Sequence, residues 1–159
     1  MIGIEYQGSF MMQHPKEAST IRPGEPSLGT ILLIEDEVLT RQLIEQFLTD
    51  ARFEVLVAED GAIGIELFRQ RPDSIDLIVL DLVMPRKNGN EVLKEIREIR
   101  PDLPAVVSTG CPGPVVIEAL GNLPVSEVFF KPYRLSLLVR RVREILEVDQ
   151  TSPPSPDRA

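Results

Sequence analysis

The chain has 159 residues, 43% of them hydrophobic, which suffices for one globular domain with a real core but not for two full ones. Its 17 Lys and Arg stand against 25 Asp and Glu, a formal charge of −8 that repels phosphate backbones and anionic lipid, so neither nucleic acid nor a membrane is expected as a partner. One cysteine allows no internal disulfide, no apolar run approaches the roughly 18 residues that span a bilayer, and MIGIEYQGSFMMQ lacks the layout of a secretory signal; the expected compartment is the cytoplasm.

Residues 1–29 end in a stretch punctuated by Pro15, Pro23, Gly24, Pro26 and Gly29, and residues 149–159 close on TSPPSPDRA. Neither stretch carries enough apolar surface to offset its ordering entropy, so both read as flexible tails around a folded part at 30–148. That part opens with TILLIE (30–35), ending on the acidic pair Glu35 and Asp36. Leu39, Leu43 and Phe47 follow at helical spacing and read as the inward face of a first helix. EVLVA (54–58) is the second apolar run, and DLIVLD (76–81) the third, where four apolar residues stop at Asp81. An aspartate suits neither a strand nor a core, so its place at that strand end calls for a reason.

Met84 and Pro85 shape the loop beyond Asp81, and Gly89 reads as a turn glycine with no chemical role, ahead of a helix carrying Val92, Ile96 and Ile99. AVVST (105–109) ends in Ser108, Thr109 and Gly110. In CPGPVVIEALGNLP the residues Pro112, Gly113, Pro114, Gly121 and Pro124 leave room for a helix of only about two turns. EVFFK (127–131) ends in Lys131-Pro132, a pair resembling a cis-peptide turn. The last helix has Leu138, Val142 and Ile145 on one face, with Arg140, Arg141 and Arg143 solvated.

The five runs show no polar alternation, as expected of strands covered on both faces, and they alternate with helices. Right-handed crossovers then give an α/β fold, a flavodoxin-like doubly wound (βα)5 with a five-stranded parallel sheet in the order 2-1-3-4-5. In that order the first and third strands are neighbours where strand order reverses, and ligands bind outside such carboxyl ends. Glu35, Asp36 and Asp81 would converge there, and their repulsion calls for a hard cation such as Mg²⁺. Thr109 and Lys131 end two further strands at the same rim. Taken singly, they read as a strand-end hydroxyl and a surface lysine; their company gives them a role.

The acids of LLIEDE, the aspartate of VLDLVMPRKNG, the hydroxyl of VVSTG and the lysine of FFKPY, in that order and each at a strand end, resemble the CheY-like receiver domain of two-component response regulators over residues 30–148. The resemblance implies that Asp81 is the phosphoacceptor, attacking a phosphohistidine on a histidine kinase or phosphotransfer protein. It implies a Mg²⁺ site formed by Glu35, Asp36, Asp81 and the backbone carbonyl of Val83, with Thr109 and Lys131 binding phosphoryl oxygens. The domain would be no enzyme beyond its own phosphorylation and dephosphorylation. No second globular unit is read after Val148, so the chain is expected either to act alone on another protein or to be a piece of a larger one. PDLPAVVSTG and FFKPYRLSLLVRRVREIL look most like receivers appended to hybrid histidine kinases.

Two departures from the family pattern bear on output. The usual switch aromatic three positions before the lysine is here Val128, with Phe129 or Tyr133 able to stand in only if the strand is bulged. Val83 and Cys111 occupy the positions that tune hydrolysis, and neither orients a water well, which implies slow loss of phosphate. The alternatives are a pseudo-receiver that never accepts phosphate and an α/β phosphatase or phosphotransferase. Such enzymes commonly carry a second aspartate where Val83 stands.

Overall fold

A computed structural model of the chain describes residues 26–151. Ten elements alternate along it: β1 (Thr30–Ile34), α1 (Val38–Asp50), β2 (Glu54–Ala58), α2 (Gly61–Gln70), β3 (Leu77–Leu80), α3 (Gly89–Ile99), β4 (Ala105–Thr109), α4 (Gly113–Leu120), β5 (Glu127–Phe130) and α5 (Leu135–Thr151). The strands form one parallel sheet in the order β2-β1-β3-β4-β5, as the alternation of buried runs and helices predicts. The expected tails fall outside the described residues except at 26–29 and 149–151, and residues 26–29 are bonded to the α1–β2 turn.

Because successive strand residues point to opposite faces, the sheet divides the core into two layers. Leu32, Ile34, Ile78 and Leu80 pack with Phe68 of α2, Leu93 and Ile96 of α3 and Val116 of α4. Ile31, Leu33, Leu77 and Val79 pack with Ile44 and Leu48 of α1 and Leu138 and Val142 of α5. Fully buried side chains of this kind contribute about 1.5–3 kcal/mol each before entropy is counted. Local signals set the helix starts: the Asp60 carboxylate accepts from the Ile63 N–H at 2.8 Å to cap α2, and Glu91 accepts from the Asn88 N–H at 2.9 Å at the start of α3. The α4 helix spans 8 residues, in line with the two turns its prolines and glycines allow.

The structure corrects the reading of the first helix. Leu39, Leu43 and Phe47 are exposed, and Ile44 and Leu48 face the sheet instead. Both sets repeat every fourth residue, and they lie about 100° apart around the helix, so spacing alone does not choose between them. Ile99 of α3 is likewise exposed, with Leu93 taking the inward place beside Val92 and Ile96.

Candidate functional site

The sheet ladder continues one residue past three of its strands, and that is where the charged groups stand. Glu35 N–H donates to Ala58 O at 3.1 Å, Asp81 N–H to Ile34 O at 3.1 Å, and Lys131 N–H to Thr109 O at 2.8 Å. Each side chain therefore projects from backbone already fixed by a strand.

Glu35 and Asp81 are buried and Asp36 is half-buried, and one carboxylate oxygen from each lies within 4.8 Å of the other two. The Lys131 ammonium bridges the cluster, donating to Glu35 Oε2 and to Asp81 Oδ2, both at 2.9 Å. The other Asp81 oxygen, Oδ1, accepts from the Val83 N–H at 3.0 Å, which fixes the carboxylate's orientation. Arg41, one turn into α1, donates to the backbone carbonyls of Glu35 at 2.8 Å and Asp36 at 3.0 Å and holds the acidic turn in place.

Three acids and one ammonium leave an excess of negative charge in a poorly solvated crevice. Burial pushes the Glu35 carboxyl above the usual carboxylate range; the hydrogen bond and charge of Lys131 pull it back, and Asp81 pushes it further up. For Lys131, burial alone would lower the ammonium, but its bonds to Asp81 and Glu35 outweigh that and hold it above the ordinary lysine value. An octahedral Mg²⁺ with oxygens at about 2.0–2.1 Å needs ligand atoms about 3–4 Å apart, a spacing the three carboxylates can adopt. The donor set fits that ion.

Thr109 is buried at the end of β4, and its oxygen accepts from the Cys111 N–H at 3.2 Å, a bond that does not use the hydroxyl proton. Val83 sits exposed at the rim. The Lys131-Pro132 peptide is cis. In β5 the register Val107↔Val128, Ser108↔Phe129, Thr109↔Phe130 runs without a bulge, so the condition for an aromatic stand-in at Val128 is not met. Val128 packs into the layer of Val116, and Phe129 belongs to the opposite layer, against Tyr133 with ring centres 5.1 Å apart.

Three features of the site escape sequence reasoning. Gly89 is needed for space: a Cβ there would stand 2.1 Å from the Asp81 carbonyl oxygen, and the Gly89 N–H donates to Leu82 O at 3.0 Å. The turn reading is thereby corrected, since Gly89 opens α3 pressed against the backbone of Asp81. Arg86, at φ 69°, forms a 2.6 Å ion pair with buried Asp60 and ties the β3–α3 loop to the start of α2. Tyr133 and Ser108 share a 2.6 Å hydroxyl–hydroxyl bond beside the lysine.

The family model for the response regulator receiver domain matches residues 31–143. The chain belongs to the response regulator receiver family. It is 38% identical over 116 residues to response regulator RR06 of Streptococcus pneumoniae, covering 73% of this chain and 52% of that one. It is 31% identical over 122 residues to the sensor kinase CckA of Brucella abortus, covering 75% of this chain and 13% of that one. Among solved structures, a receiver domain protein from Clostridium thermocellum superposes with a TM-score of 0.71 at 26% identity, covering 77% of this chain and 97% of that one. The chain thus spans about half the length of the response regulator it matches, and a far smaller share of the kinase. Receiver domains are signalling domains that work with histidine kinases and phosphotransfer proteins and generally bind Mg²⁺ at an acidic pocket; this chain has an acidic cluster of Glu35, Asp36 and Asp81. No helix among the described residues is long and apolar enough to cross a membrane.

Proposed function

We propose that this receiver takes a phosphoryl group onto Asp81 from the phosphohistidine of a histidine kinase or phosphotransfer protein in the cytoplasm, in a Mg²⁺-dependent reaction. The observation that carries this reading is the Lys131 ammonium held 2.9 Å from both Glu35 and Asp81 within a three-carboxylate cluster. Glu35, Asp36, Asp81 and the Val83 carbonyl would hold Mg²⁺, which when bound neutralises charge on the phosphoryl oxygens.

Asp81 Oδ2, given up by Lys131, attacks phosphorus; the P–N bond breaks and its electron pair returns to the imidazole. Phosphoryl transfer depends on alignment and charge neutralisation more than on proton movement. The Val83 N–H, bonded to Oδ1, keeps the carboxylate aimed. Lys131 exchanges a carboxylate partner for a phosphoryl oxygen, and the Thr109 hydroxyl donates its proton to another. The acyl phosphate carries about −1.5 to −2 charges where the carboxylate carried −1, and it brings three acceptor oxygens, so the segments bearing Thr109 and Lys131 are drawn inward and the outer surface changes.

The reading is tested with phosphoramidate and Mg²⁺, following intact mass. The wild type gains one phosphoryl group and Asp81→Asn gains none. No uptake by the wild type would leave a pseudo-receiver, and multiple turnover of donor would indicate a phosphatase. With Val83 and Cys111 flanking the site, the adduct is expected to outlast seconds; decay within seconds would contradict that expectation.

A further inference from the structure

Four large apolar side chains on α1 point into solvent: Val38 is 53% exposed, Leu39 70%, Leu43 54% and Phe47 42%. Leu39, Leu43 and Phe47 form one stripe by their four-residue spacing, while Ile44 and Leu48 hold the helix to the sheet. A continuous exposed apolar stripe marks an interaction surface, unlike scattered single residues. This one runs from beside Asp36, at the acidic pocket, to the C-terminal end of α1.

The chain ahead of β1 is fastened at that same end. The Arg52 guanidinium donates to Pro26 O at 3.0 Å, and the Leu28 N–H donates to Arg52 O at 3.0 Å, one residue past the α1 C-cap, Ala51. Residues 1–25 therefore join the fold where the stripe finishes. Their sequence has two parts: MIGIEYQGSFMM, with seven apolar or aromatic residues of twelve and one charge, then the polar spacer QHPKEASTIRPGE. A thirteen-residue chain without regular structure has an end-to-end distance of about 20 Å. The distance along α1 from Asp50 back to Leu39 is about 17 Å at the helical rise. Effective concentration is greatest when spacer and span match in this way.

From these observations we propose that residues 1–12 seat on the Leu39–Leu43–Phe47 stripe of their own molecule.

The test places a nitroxide at Gln7→Cys in full-length Cys111→Ser protein and records the backbone amide spectrum. Loss of amide intensity across residues 39–47, reversed by adding Leu43→Asp, is the expected result. Full intensity at those amides would overturn the proposal and leave the face for another protein. So would broadening seen only when labelled, isotopically silent protein is mixed with unlabelled ¹⁵N protein, because the occupant is then a second copy. Beryllofluoride with Mg²⁺ in the same samples separates the two readings: shifts around Asp81 without broadening at α1 sink the docking alone, and broadening without such shifts sinks the phosphotransfer reading alone.

Discussion

The two ends of the sheet handle buried charge in opposite ways. At the amino ends of β4 and β5, the Arg97 guanidinium donates to the carbonyls of Leu103 at 2.6 Å, Pro124 at 2.8 Å and Arg100 at 3.3 Å. A single cation there stitches the α3–β4 and α4–β5 connections together, with neutral partners that have no reason to leave. At the carboxyl ends, one ammonium is shared by two carboxylates with a third close by. The first arrangement meets neutral carbonyls, with Arg97 Nε left without a hydrogen bond, and is structural; the second carries surplus charge that an added cation would offset, which makes it responsive.

Substitutions break this contrast in graded ways. The largest effect is expected from Asp81→Asn, which abolishes phosphoryl uptake while leaving the thermal unfolding midpoint near that of the wild type; uptake at another residue, seen by peptide mapping, would refute the assignment. Next is Gly89→Ala, whose methyl group would collide with the Asp81 backbone. Overpacking of this kind costs about 1–3 kcal/mol, so both the unfolding midpoint and the phosphorylation rate fall. Arg97→Met leaves carbonyls without their donor, a loss of about 1–3 kcal/mol by denaturant titration, with the rate of uptake from phosphoramidate unchanged. A changed rate would show that the two ends are coupled.

The smallest effect concerns Tyr133. Burial raises its phenol above the ordinary tyrosine value, with the Ser108 hydrogen bond and Lys131 lowering it in part. A folded pKa above the unfolded one contributes stability that is intact below about pH 10 and is lost as pH rises through the folded value. Tyr133→Phe is therefore expected to cost about 0.5–1.5 kcal/mol at neutral pH through the Ser108 bond. It also flattens the fall in stability above about pH 10. Ultraviolet titration of the phenols checks the same point, since the variant loses the late-titrating component.

The strands and their order were legible because runs such as LLI and LIVL are buried on both faces and carry no ambiguity of face. The acids and Lys131 were legible because charged residues directly after such runs have few structural reasons to be there. For α1 the same logic failed: its two apolar stripes are equivalent in one dimension, and only the sheet decides between them. Gly89 and the Tyr133–Ser108 pair were hidden for another reason. A close approach to a backbone 8 positions earlier, or a bond across 25 positions, leaves no periodic trace in the chain.

The bridge from Lys131 to Glu35 joins positions 96 apart, one just past the edge strand β5 and the other just past β1, three strands away in the sheet. During synthesis the acids are made long before their counter-charge emerges, so the crevice acquires its balance only when the final strand docks. On the proposed phosphotransfer, chemical competence is thereby reserved for chains in which β5 has docked, and a fragment stopping short of β5 would keep the carboxylates without the group that tempers them.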